Sequence, residues 1–191
     1  MVDIVLQVIQ YYLEKNIIPT QNDLNIKDPS LLEKKWNIFV TLYKNGNIVW
    51  NSGNIVELEK NIVNELIQNT IYALWDQRFP DLTIKDIKNL KVRVDIFKNR
   101  ILIWWKTITD KNWLSSPNPN FKEIKDINPI TSGLLVIKKD YTKLSIILPN
   151  ISSTLTSWKD IETILSNKLE EEFVENNFLI YEIQTNVATN Y

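Results

Sequence analysis

The stretch Asp76-Gln77-Arg78-Phe79 sets a carboxylate and a guanidinium two positions apart, just ahead of Pro80. A guanidinium is a planar fork of donors, so an arginine facing an opening can hold a carboxylate or phosphate through two parallel hydrogen bonds. The same residues support a structural reading, in which Arg78 caps the last carbonyls of a helix and pairs with Asp76 while Phe79 plugs the core. Arginine is scarce, with nineteen lysines against three arginines, so each arginine is less readily an idle surface charge. Trp104, Trp105 and Trp113 form the second group of interest. Neighbours on a strand face opposite sides, so one of Trp104 and Trp105 is expected to be open to a protein partner unless sheet and loop cover both. Glu170, Glu171, Glu172 and Glu175 lie close in sequence. Consecutive carboxylates on a helix point in different directions, so these read as a solvated helix end and not as a cation site.

Much chemistry is excluded outright. The 191 residues include no Cys and no His, which removes disulfides, thiolate and imidazole metal ligands, and every catalytic scheme built on Ser–His or Cys–His. Three glycines leave no dinucleotide or Walker loop to cradle phosphates. No metal and no cofactor is expected. The net charge is −1 with no linear basic cluster, which argues against a nucleic-acid partner. No apolar run approaches the roughly 20 residues that cross a bilayer, so no membrane association is expected. Met1 to Asn16 carries Asp3 and Glu14 inside its apolar pattern and lacks a basic start. It does not read as a signal peptide, and the expected location is cytoplasmic.

The elements that must position these groups follow from periodicity. Ile4, Val5, Val8, Ile9, Tyr12 and Leu13 predict a helix over 2–15. Lys44-Asn45-Gly46-Asn47 is a turn signal between strands at 37–43 and 48–50. A long helix is predicted over 55–76, with Leu58, Ile62, Leu66, Ile71 and Leu74 as its stripe. Thr83 with Asp86, and Ser157 with Asp160, each match a capping box, the second opening a helix to about residue 172. Strands are expected at 92–97 and 100–105, joined by Lys98-Asn99, and then at 134–137, 144–148 and 178–183. Residues 106–130 read as a loop excursion with a weak strand near Phe121. Strands grouped in hairpins favour an α+β fold over a parallel doubly wound sheet.

Several segments, in this order, resemble the AMMECR-one domain family. They are Phe39-Val40-Thr41-Leu42 with Gly46, Ala73 to Leu82 (like the family's Asp-Pro-Arg-Phe-Pro segment), Val92-Arg93-Val94, Gly133-Leu134-Leu135-Val136, and Leu148-Pro149. Together they span about 34–183. The resemblance implies a single α+β domain over 1–191, with an antiparallel or mixed sheet packed with helices. It also implies a smaller second lobe or insertion about 98–130 and a cleft. Where the family reads Leu-Arg-Gly-Cys-Ile-Gly, this chain reads Ile48-Val49-Trp50-Asn51-Ser52-Gly53. Asn51 stands at the cysteine position and cannot act as a thiolate, and Trp50 fills space that a glycine leaves open. The candidate cleft is therefore Trp50, Asn51, Ser52, Gly53, Asp76 and Arg78, with Val49 to Asn51 expected to close it. Trp104, Trp105 and Trp113 are the candidate partner surface. The resemblance implies Memo-like or radical S-adenosylmethionine proteins as partners. The favoured reading is a non-enzymatic protein- or ligand-binding module; the alternative is an enzyme whose cleft uses Asp76 and Arg78.

Overall fold

The computed structural model describes residues 1–76, 82–109, 111–152, 155 and 157–191. The chain divides into two compact units, Met1–Phe97 with Asn186–Tyr191, and Lys98–Thr185.

In the first unit, the apolar face Ile4, Val5, Val8 and Ile9 buries helix α1 (Val2–Lys15), which ends where Asn16 turns left-handed at φ 53°. Strands β1 (Ile38–Lys44) and β2 (Asn47–Gly53) form the expected hairpin. Its turn holds Asn45 and Gly46 at φ 54° and 81°, a geometry these two residues tolerate well. β1 also pairs antiparallel with β3 (Lys91–Leu102). Helix α2 (Ile62–Leu74) lies with α1 on the side of Ile38, Val40 and Leu42, where Leu66, Ile71, Val92 and Val94 join the same core.

The predicted start of α2 at residue 55 is wrong. The Asn61 side chain accepts from Asn64 N and caps the helix there, and Leu58 is exposed instead of joining the stripe. β3 is likewise one continuous strand, with no turn at Lys98-Asn99.

In the second unit, β6 (Gly133–Lys138) pairs antiparallel with β7 (Leu144–Ile147) and with β8 (Phe178–Thr189). Helix α3 (Trp158–Leu169) begins at the expected Ser157–Asp160 capping box. It stops at left-handed Glu170, short of the predicted residue 172. Ile161, Leu165 and Leu169 pack with Leu134, Val136, Phe178 and Ile180. The excursion after β3 is not all loop, because β4 (Thr107–Thr109) and β5 (Ser115–Pro117) pair as a separate two-stranded hairpin. The weak strand expected near Phe121 does not form.

Candidate functional site

Side chains alternate across a strand, and this divides the candidate residues of β2 into two sets. Trp50 stands opposite Leu42, is 1% exposed and belongs to the helix-side core. Ser52 is on the same side, with its Oγ 3.4 Å from Asn69 Oδ1 on α2. Asn51 and Gly53 stand opposite Thr41 and Phe39 on the other side of the sheet. Between Leu42 and Tyr43 the register slips by one residue, leaving Val49 as the extra residue of a bulge. Trp50 and Asn51 therefore cannot line one opening.

On the helix side, Ser52 leads into a buried polar network that the sequence reading missed. Glu65, on α2, is 2% exposed. Its Oε1 accepts from Asn54 Nδ2 at 3.0 Å and Asn69 Nδ2 at 3.4 Å, and its Oε2 accepts from Glu59 N at 2.9 Å. Asn69 also donates to Ile38 O at 3.3 Å. A buried carboxylate needs such donors. Here they fasten the connection after β2 to the helix that follows it.

The opposite side carries a second polar group. Arg93 stands across from Thr41, which in turn stands across from Asn51. Arg93 Nε and Nη2 each donate to Asp95 at 2.7 Å, with the two residues 4% and 0% exposed. Burial pushes the Tyr43 phenol up to about 12, against the pull of the nearby Arg93 guanidinium. Burial pulls the Arg93 guanidinium down, but its bonds to Asp95 outweigh this and hold it above its ordinary value. Thr41 Oγ1 is buried and makes no hydrogen bond. The scarcity of arginine could have pointed to Arg93, which sits in a motif strand, but only the register brings it to Asn51.

Asp76 lies two residues beyond α2 and is half-buried. Gln77 to Asp81, with Arg78, Phe79 and Pro80, lie outside the described residues. A depression of about 410 Å³, lined by Leu13, Leu82, Thr83, Ile84 and Lys85, includes none of the described candidates. Among the described residues no group of three or more acidic side chains could hold a metal ion, and no helix is long and apolar enough to cross a membrane.

The three tryptophans separate as clearly. Trp104 and Trp105 lie beyond the end of β3, so strand alternation does not govern them. Trp104 packs against the second core and stands 5.9 Å from Phe121. Trp105, at φ 103°, donates to Phe178 O at 3.3 Å and carries Lys139 Nζ 3.7 Å over its ring. Trp113 is 87% exposed in the loop of the β4–β5 hairpin, beside Leu114 at 66%. The base of that hairpin is pinned by buried Asn118. Its amide donates to Leu102 O at 3.2 Å and Trp105 O at 3.0 Å, and its backbone N–H donates to Lys106 O at 2.8 Å.

A solved structure of an uncharacterized protein from Pyrococcus horikoshii has the same fold. It is 19% identical at a TM-score of 0.70, covering 96% of this chain and 86% of that one. No curated protein sequence matches the chain. The family model described as AMMECR1 matches residues 2–185, extending the resemblance seen in the motifs through α1. The chain belongs to the AMMECR1 domain family.

Proposed function

We propose that this chain is a non-enzymatic binding module of the AMMECR1 family, and that the β4–β5 hairpin makes its contact with a protein partner. The observation that carries this reading is Trp113, a large aromatic side chain 87% exposed on a hairpin whose base is anchored. Tryptophan is enriched among the few residues that carry most of the binding energy of protein interfaces. The former motif region supports the same reading from the other side. Trp50 is core, Asn51 carries a neutral amide, and Arg93 is held by Asp95.

The proposed partners are a Memo-like or a radical S-adenosylmethionine protein from the same cell. The test is calorimetric titration of each purified candidate with this chain and with Trp113→Ser. The expected result is binding by the wild type and at least a tenfold loss in the variant. Equal binding by both proteins overturns the role of the hairpin. A thermal-shift screen of small carboxylates and phosphates tests the enzyme reading. Stabilisation of the wild type that Arg78→Lys abolishes would favour an anion-binding cleft over the binding module, because lysine keeps the charge and loses the fork.

A further inference from the structure

We infer that Asn45 is a site of spontaneous covalent modification, where the side-chain amide is lost by ring closure onto the Gly46 nitrogen and the isoaspartate formed loosens the tip of the β1–β2 hairpin. This hairpin is not the one proposed to meet a partner. Asn45 is the one asparagine of the chain that precedes a glycine. In the reaction the Gly46 nitrogen gives its proton to hydroxide and attacks Cγ of Asn45. A five-membered succinimide closes and ammonia leaves. Water then opens the ring, giving aspartate by attack at the side-chain carbonyl and isoaspartate by attack at the main-chain carbonyl. A side chain on the attacking residue crowds the closure, and glycine has none. Asn16 is the internal comparison. It is exposed and left-handed at φ 53°, against 54° at Asn45, but β-branched Ile17 follows it.

The structure leaves this turn open to the reaction. Asn45 and Gly46 are both exposed, and a Cβ added at Gly46 would meet nothing within 4 Å, so water and hydroxide reach the turn. Among the described residues, neither the Asn45 side chain nor the Gly46 N–H makes a hydrogen bond that would hold it back. Ring closure requires Asn45 to leave its left-handed geometry. The ladder permits this, because the slip between Leu42 and Tyr43 leaves just the Tyr43–Ile48 and Lys44–Asn47 pairs beyond it. A bulge weakens pairing locally, so the tip can open without unzipping the strands below. Isoaspartate then adds a backbone atom to a two-residue turn. The turn sets the register of a hairpin, so the pairs next to it cannot re-form as they were. The new carboxylate also stands next to Lys44, whose ammonium holds Asp86 at 2.8 Å.

The test incubates the full folded chain in mildly alkaline buffer and maps its peptides by mass spectrometry, with fragmentation that separates aspartate from isoaspartate. The expected result is conversion at position 45, mostly to isoaspartate, at least tenfold faster than at Asn16. Thermal unfolding of the aged protein should show a midpoint below that of the fresh protein. Two variants isolate the cause. Asn45→Gly suits the left-handed turn and cannot cyclise, so its midpoint should not fall on ageing. Asn45→Asp carries the new charge without the extra backbone atom, so it should unfold at a higher temperature than the isoaspartate form purified by chromatography. An Asn45 that survives incubation as long as Asn16 overturns the site. An Asn45→Gly protein that loses as much stability on ageing as the wild type overturns the effect on the hairpin, and so does an isoaspartate form as stable as Asn45→Asp.

Discussion

The ring of Phe39 occupies the space that a side chain at Gly53 would need, because the two residues face each other across the β1–β2 ladder. Gly53 is thus kept free of a Cβ by packing, although its φ is one that any residue could adopt. Gly53→Ala should destabilise by about 1–3 kcal/mol, the usual range for overpacking. Phe39→Ala alone should cost about 3–5 kcal/mol. In the double variant the alanine at 53 should add almost nothing, which a denaturant double-mutant cycle would read as strong coupling. Simple additivity would mean that the ring moves aside.

Glu65 should matter to stability far more than a helix-surface glutamate does. Glu65→Ala leaves Asn54 Nδ2, Asn69 Nδ2 and Glu59 N short of an acceptor, for a cost of about 2–4 kcal/mol. Glu65→Gln should cost less, since its amide keeps one carbonyl oxygen for these donors. Hydrogen exchange at the Glu59 amide should quicken in both variants. An unchanged exchange rate would show that the connection after β2 is held by other contacts.

How far the sequence carries can be judged from these elements. The β1–β2 hairpin was legible because Asn45 and Gly46 are both suited to positive φ. The capping boxes were legible because their partners lie three residues apart. The start of α2 was not, because its periodicity runs back through Leu58. What fixes the start is the Asn61 cap, and the residues before it are tied down by the tertiary bonds of Glu65. Lys98-Asn99 reads as a turn locally, yet β3 continues through it. The β4–β5 strands, three residues each, are too short and polar to show alternation. In the candidate site, the exposure of Trp113 and the burial of Trp50 both depend on packing that no spacing rule encodes.

Thr41→Val should stabilise the protein by about 1 kcal/mol. The Thr41 hydroxyl is buried without a hydrogen bond, and valine replaces it with a methyl of similar shape. Thermal unfolding should show a raised midpoint. A lowered midpoint would indicate that a bound water satisfies the hydroxyl and that the substitution expels it.

Asp86 should show the clearest acid-limb behaviour. The Lys44 ammonium, with the Thr83 backbone and hydroxyl, lowers its carboxyl to about 2. A folded-state value below the unfolded one means that the group stabilises the native protein above its unfolded pKa of roughly 4. That contribution is lost as pH falls from there through about 2. Asp86→Asn should therefore flatten stability against pH in this window and leave its form above pH 5 unchanged. Carboxyl titration by NMR in Lys44→Met should move the Asp86 midpoint upward. A midpoint that stays near 2 would assign the shift to Thr83 alone.

The Arg93–Asp95 pair should show the asymmetry expected of buried charges. Both residues lie on one side of β3, and both bonds between them are 2.7 Å. Asp95→Asn keeps the shape but removes the counter-charge, leaving a guanidinium that is 4% exposed beside a neutral amide. Breaking such a pair from one side costs about 3–5 kcal/mol. Replacing both partners with apolar residues, as in Arg93→Met with Asp95→Leu, should restore most of that stability, because no uncompensated charge remains. Urea unfolding of Asp95→Asn and of the double variant makes the comparison directly. A double variant as unstable as Asp95→Asn would show that Arg93 is needed by further polar neighbours on that side of the sheet. A single variant near the wild-type midpoint would show that water reaches the pair, which would reopen the Asn51 side of the sheet as a ligand site.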